Sequence, residues 1–160
     1  MIKKSKTVKE SQIEMIELVL PNDTNIFGNL LGGRLMHWID ISAALAASKH
    51  CNNVPVTAEV DNLVFHEPVH LGNIVRLKTS VSRAFRTSME VGVRVEVEDI
   101  KNGKIKHSNS AYLTFVSIER KTFKPIPVPK LIPETKEEKR RYEQADKRRE
   151  QRLKRRHGII

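Results

Sequence analysis

Hydrophobic positions along this chain recur with a period of two in most places and crowd together in one. Ser11–Leu20 sets Ile13, Met15 and Glu17 against Glu14, Ile16 and Leu18, which predicts a strand ending at Pro21. Leu35–Ala47 is almost wholly apolar or small and free of proline, which predicts a helix buried on most sides. Pro55–His66 is rich in β-branched and aromatic residues, and a second strand is expected there, punctuated by Pro68 and Gly72. Asn73–Arg83 alternates strictly, with Val75, Leu77, Thr79 and Val81 on one face. Thr87–Asp99 does the same with Met89, Val91, Val93, Val95 and Val97, leaving Glu90, Arg94, Glu96 and Glu98 opposite. Lys101–Lys104 centres on Asn-Gly, the hairpin signal, and Ile105–Ile118 completes the pair.

One strand, one long helix and four strands on short turns define an α+β arrangement in which a sheet wraps a single helix. A helix apolar nearly all round outruns what one sheet can cover, so at least a dimer is expected. The expected organisation is a flexible arm over 1–9, one domain over 10–119, a proline-rich linker over 120–134, and a basic, partly helical tail over 135–160. The tail pairs opposite charges at four-residue spacing (Glu137/Arg141, Glu143/Lys147, Glu150/Lys154) and has almost no apolar stripe, so a solvated state is expected.

Composition changes this picture little. A chain of 160 residues fits one domain with appendages. Of the net charge of +10, the segment 136–156 carries +6, so the body is only mildly basic. Cys51 has no internal partner, no apolar run approaches a membrane span of about 18 residues, and the N-terminus lacks an apolar signal core. The expectation is a cytoplasmic protein.

Candidate chemistry gathers between Pro21 and Lys49. Asp40 is the one acid in the apolar helix, with Gly33, Met36, His37, Ala43, Ala44 and Ala47 as its helical neighbours. An unpaired buried carboxylate costs several kcal/mol, and apolar surroundings would make it a better base. The plainer alternative is a salt bridge to Arg34 or Lys49. Gly32 and Gly33 open the helix, where unpaired N–H groups and the positive end of the dipole could stabilise an oxyanion. Asn25 could polarise a carbonyl or merely shape an Asx turn. His66-Glu67-Pro68-Val69-His70 matches the H-E-x-x-H string, but that metal site needs a helix, which Pro68 opposes. No metal is expected.

PNDTNIFGNLLGGRLMHWID, VDNLVFHEPVHLGN, RAFRTSMEVGVRVEVE and SAYLTFVSIE together resemble the hot-dog fold acyl-CoA thioesterases, in the branch of cytosolic acyl-CoA hydrolases. The resemblance covers roughly Ile13–Glu119. It implies a curved antiparallel sheet around a central helix, working as dimers and often as trimers of dimers. It also implies that Asp40 is catalytic, as base or nucleophile, and that Asn25 faces the Asp of a partner subunit. Arg86, Thr87 and Ser88 resemble an Arg-Ser-Ser-like element that contacts coenzyme A, with Thr87 replacing the first Ser. The implied reaction turns acyl-CoA and water into fatty acid and coenzyme A, with no cofactor beyond the coenzyme A of substrate and product. Two rivals remain: an acyl-CoA-binding sensor without turnover, and a nucleic-acid-binding module led by the basic tail.

Overall fold

The computed structural model describes residues 3–61, 63–156 and 158. Its order is β1 (Ser5–Thr7), β2 (Ile13–Leu18), α1 (Gly32–Cys51), β3 (Pro55–Val60), β4 (Ile74–Ala84), β5 (Ser88–Asp99), β6 (Lys104–Ser117), β7 (Lys130–Ile132) and α2 (Lys136–Arg156). Five strands form an antiparallel sheet in the order β2-β4-β5-β6-β3. The sheet wraps α1, so the α+β hot-dog arrangement expected from the sequence is present.

The period of two sorts the sheet's faces. Val75, Leu77, Thr79 and Val81 of β4, Met89, Val91, Val93 and Val95 of β5, and Ala111, Leu113 and Phe115 of β6 are all buried. Against them α1 buries Leu35, Trp38, Ile39, Ala43, Ala46 and Ala47, a stripe at helical spacing. The other side of α1 is not covered by the chain itself: Met36, Ile41 and Leu45 remain 43, 38 and 47% exposed. Beyond it β3, with exposed Val56 and Val60, is an outer strand whose far edge pairs with no other strand among the described residues.

Three expectations change. The strand expected over Pro55–His66 stops at Val60, and Asp61 and 63–68 run irregularly; Asn62 lies outside the described residues. β-Propensity alone could not place its end, because beyond Val60 the ladder with β6 lapses into the single bond from Asp61 N–H to Tyr112 O (2.9 Å). The arm expected to be flexible instead places Ser5–Thr7 in a parallel pair with Lys130–Ile132 of the proline-rich segment. Lys6 Nζ then donates to Lys49 O and Asn52 Oδ1, a cation satisfying carbonyls at the C-terminus of α1.

The tail is also not a solvated appendage, although residues 157, 159 and 160 lie outside the description. α2 lies on the sheet's outer face, with Ala145 and Arg152 buried. Glu90, on the supposedly solvated face of β5, is fully buried and takes both Arg148 (Nη2–Oε1 2.6 Å) and Arg152 (Nη1–Oε2 2.9 Å). Arg152 also reaches Asp61 (2.8 Å), and Arg148 stacks on Tyr112. Gly92 keeps this face low, since a Cβ there would lie 2.9 Å from Ser82 Oγ and 3.3 Å from the Tyr112 ring. Arg148 and Arg152 are therefore counter-charges for acids on and beside the sheet. Of the expected intrahelical pairs only Glu137–Arg141 closes, at 2.9 Å.

Candidate functional site

Asp23 organises the entry to α1. Its Oδ2 accepts the Leu20 N–H (3.0 Å), its carbonyl accepts the Leu31 N–H (2.9 Å), and its Oδ1 pairs with Arg34 (3.0 Å). Arg34 is thus taken by Asp23 and not by Asp40. No side chain caps the helix; Arg34 and Leu35 N–H return to Leu31 O, while Gly32 and Gly33 N–H have no acceptor among the described residues. Gly32 lines a cleft of about 320 Å³ together with Asn29, Leu30, Leu35, Phe65 and His66. Phe65 lies so close that a Cβ on Gly32 would meet its ring at 3.4 Å.

Asn25 is exposed in the loop before α1. Its Oδ1 accepts N–H groups from Phe27 (3.0 Å) and Asn29 (3.2 Å), the Asx-turn geometry, which leaves its amide NH₂ available.

Asp40 lies two turns into α1, on the border between the buried stripe and the open face carrying Met36 and Ile41. It is half-buried, not enclosed as the apolar run suggested, because that side of the helix has no cover within one chain. Neither expected cation reaches it, since Lys49 donates to Gln12 O (2.9 Å). Its partner is Thr57 of β3, whose hydroxyl donates to Asp40 Oδ1 at 2.8 Å. Sequence reasoning missed Thr57; its exposed place on a neighbouring edge strand was the signal, visible only once strand and helix are docked.

Seven residues of helix separate Gly33 from Asp40, a rise of about 10 Å. Both cannot lie within roughly 3 Å of one reacting centre. A single chain therefore brings Asp40 and Thr57 together, and separately the helix start and Asn25, but does not join the two sets.

Arg86 and Thr87 lie in the β4–β5 turn and Ser88 opens β5, the turn being closed by Phe85 N–H to Ser88 O (2.8 Å). Arg86 O accepts from Val128 (3.1 Å) and Thr87 O from Ser117 (3.0 Å), so the turn is braced while the Arg86 side chain stays exposed. Register places Met89, next to Ser88, level with Phe115 and Thr57, two strand spacings or about 10 Å from the Asp40 anchor. The 66–70 stretch is not helical, and His70 Nδ1 instead bonds Asn29 Oδ1 (2.8 Å).

A sheet wrapped on one helix, with free amides at the helix start and a hydroxyl-held carboxylate on its open side, has the parts of an acyl-transfer hydrolase. The chain belongs to the thioesterase superfamily, whose family model matches residues 27–104. It is 38% identical over 130 residues to a Bacillus subtilis protein named "uncharacterized acyl-CoA thioester hydrolase YkhA", spanning 81% of this chain and 75% of that one. Among solved structures, an acyl-CoA hydrolase from Staphylococcus aureus in complex with butyryl coenzyme A and coenzyme A superposes with TM-score 0.90 at 37% identity, covering 97% of this chain and 94% of that one. Structures of that hydrolase include three variants in which an Asn, an Asp and a Thr are each replaced by Ala. Those positions are spaced 15 and 17 residues apart, as are Asn25, Asp40 and Thr57 here. An apo-hexameric acyl-CoA thioesterase superposes with TM-score 0.91 at 41% identity, over 95% of this chain and 97% of that one.

Proposed function

We propose that this chain hydrolyses acyl-CoA to a free fatty acid and coenzyme A, with Asp40 as the catalytic carboxylate at an interface between two copies. The observation that carries the reading is the Thr57–Asp40 hydrogen bond (2.8 Å) on the uncovered side of α1. The carboxylate takes a proton from water as oxygen adds to the thioester carbonyl, or adds to that carbon itself and is later released by water. In either route the carbonyl electrons move onto oxygen, where Gly33 N–H, with Gly32, and the positive helix end stabilise them. The C–S bond then breaks: in the first route the sulfur takes the proton that Asp40 drew from water, and in the second it leaves as thiolate and is protonated by the water that later releases the acyl group from Asp40.

A second copy supplies what one chain separates. Covering Met36, Ile41 and Leu45 and pairing the free edge of β3 sets the helix start and Asn25 of one protomer against Asp40 of the other. Asn25 then offers its free NH₂ to the carbonyl. Arg86, Thr87 and Ser88 receive the coenzyme end, the pantetheine arm bridging phosphates and thioester. We further propose a trimer of dimers, supported by the hexameric relative, and a cytoplasmic location, supported by the unpaired Cys51 and by there being no helix long and apolar enough to cross a membrane among the described residues. Arg148 and Arg152 are engaged by Glu90 and Asp61, which takes two of the tail's cations away from the nucleic-acid reading.

The test is thiol release from acyl-CoAs of increasing length, with and without Asp40→Asn. The wild type should turn over, and the variant should lose about 10²- to 10⁴-fold in kcat while still binding coenzyme A. Unchanged turnover in the variant would remove Asp40 from the mechanism, and binding without turnover in the wild type would favour a sensor.

A further inference from the structure

The docking of α2 brings a cation to the β4–β5 turn that the sequence separates from it by more than sixty residues. The Arg149 guanidinium lies 4.3 Å from the centroid of the Phe85 ring, and Phe85 immediately precedes Arg86. Arg83 approaches the same ring at 5.9 Å. Two guanidiniums, those of Arg149 and Arg83, thus gather about one aromatic side chain whose chain neighbour is Arg86. The acid on α2 beside them, Asp146, is engaged by Arg83 at 2.8 Å, and Arg83 also stacks on Tyr142 at 3.7 Å. Arg86 and Arg149 are both exposed, and neither has a carboxylate partner among the described residues.

This cluster is held rigidly on both sides. The turn is tied to β6 and to the segment before β7 through Thr87 O and Arg86 O. α2 is tied next to Arg149 by Arg148, whose guanidinium makes three contacts to the buried Glu90. Stacking on Phe85 fixes the plane of the Arg149 guanidinium and leaves its N–H edge to solvent, so little freedom remains to be lost on binding an anion. Arg149, without a carboxylate partner among the described residues and docked beside a turn that carries the equally unpartnered Arg86, adds to a local positive field that favours a multiply charged anion.

We propose that Arg149 completes the coenzyme end of the substrate site: Arg86 and Arg149 together grip the phosphates of the nucleotide moiety, and the C-terminal helix is a part of substrate recognition. The proposal rests on the acyl-CoA hydrolase reading and assigns within it a residue outside the hot-dog domain. Planar guanidiniums pair with phosphate oxygens two at a time, which suits a ligand with several phosphates over one with a single carboxylate.

The experiment compares two thioesters of the same acyl group, one on coenzyme A and one on pantetheine, which lacks the phosphates. Steady-state constants are measured on the full-length chain for the wild type, Arg149→Ala and Arg149→Lys, with thermal unfolding recorded for each. Arg149→Ala should raise KM for acyl-CoA about 5- to 30-fold with kcat within about twofold, and flatten the salt dependence of kcat/KM. The pantetheine thioester should be hydrolysed equally by both, and Arg149→Lys should recover part of the acyl-CoA affinity. An unchanged KM for acyl-CoA in an otherwise active enzyme overturns the proposal and leaves the hydrolase reading standing. Equal losses on both thioesters with a lowered unfolding temperature also overturn it, since Arg149 would then serve only to seat α2. A wild type that turned over neither thioester would overturn the hydrolase reading and this proposal together.

Discussion

Thr57 on the sheet's edge strand donates its hydroxyl to Asp40 on the central helix, and this 2.8 Å bond fixes which way the only acid of α1 points. A helical Asp at a half-exposed position has several rotamers open to it. The bond selects one of them and keeps one carboxylate oxygen occupied, leaving the other for chemistry. Hydrogen bonds to charged groups are worth about 1.5–3 kcal/mol, which converts to roughly 10- to 100-fold in rate if lost in the transition state. Thr57→Ala and Thr57→Val should both lower kcat by that amount, and Thr57→Ser should restore most of it. Steady-state kinetics on all three variants checks this; a Val variant as active as wild type would refute it.

The helix start gives a second expectation. Gly33 N–H has no acceptor among the described residues, and proline at that position would delete it while keeping a backbone compatible with the first helical turn. Gly33→Pro should reduce kcat about 10²- to 10³-fold, the usual effect of losing one oxyanion donor, with little change in coenzyme A affinity. Kinetics paired with calorimetric binding of coenzyme A separates the two effects.

Glu90 allows a stability test. It is buried beneath α2 between Arg148 and Arg152, and removing one partner of a buried ion pair typically costs about 3–5 kcal/mol. Arg152→Met leaves Glu90 and Asp61 short of a cation and should destabilise strongly. Adding Glu90→Leu should recover part of that loss, because an apolar pair tolerates the same site. Denaturant unfolding of the two single variants and the double variant measures the coupling; additive losses would show that the contacts are independent.

His50 sets a pH dependence. It is fully buried at the end of α1, Nε2 bonded to Pro129 O (2.8 Å), and Nδ1 has no partner among the described residues. Burial pushes its pKa below the ordinary 6.5; the Pro129 carbonyl opposes this more weakly, and Lys6 lowers it further. The unfolded chain therefore binds a proton more readily than the folded one. The stability is complete above about pH 6.5 and is lost as pH falls through and below that value. His50→Gln should flatten the acid limb of unfolding temperature against pH between about 6.5 and 5. An identical slope in both proteins would assign that limb to other groups.

How far the chain's own pattern carried depends on whether each contact is local. Alternation in Asn73–Arg83 and Thr87–Asp99 named the core-facing residues of β4 and β5 from Val75 to Val81 and from Met89 to Val95, since period-two burial depends only on one face meeting a core, but it missed the buried Ser82, Glu90 and Glu96 on the other face. The proline-free apolar run likewise marked α1, and its excess of apolar faces foretold that one sheet would leave Met36, Ile41 and Leu45 open. Asp40 stood out because no other acid lies in that helix.

Glu90 shows where such reasoning stops. Alternation turned it away from the core and so into water, yet its guanidinium partner Arg148 lies 58 residues further on. Opposite charges at four-residue spacing in the tail read as self-sufficient, while other cations of the same helix, Arg148, Arg152 and Arg155, meet acids outside it. The same holds for β1 with β7, for Thr57 with Asp40, and for Arg149 with Phe85. Periodicity and composition determine elements and the faces they bury, because those follow from neighbours a few residues away. Which charged side chains meet across docked elements follows from packing in three dimensions. Only the tertiary structure decided that the tail is a clamp on the sheet and that the helix carboxylate is held by a strand.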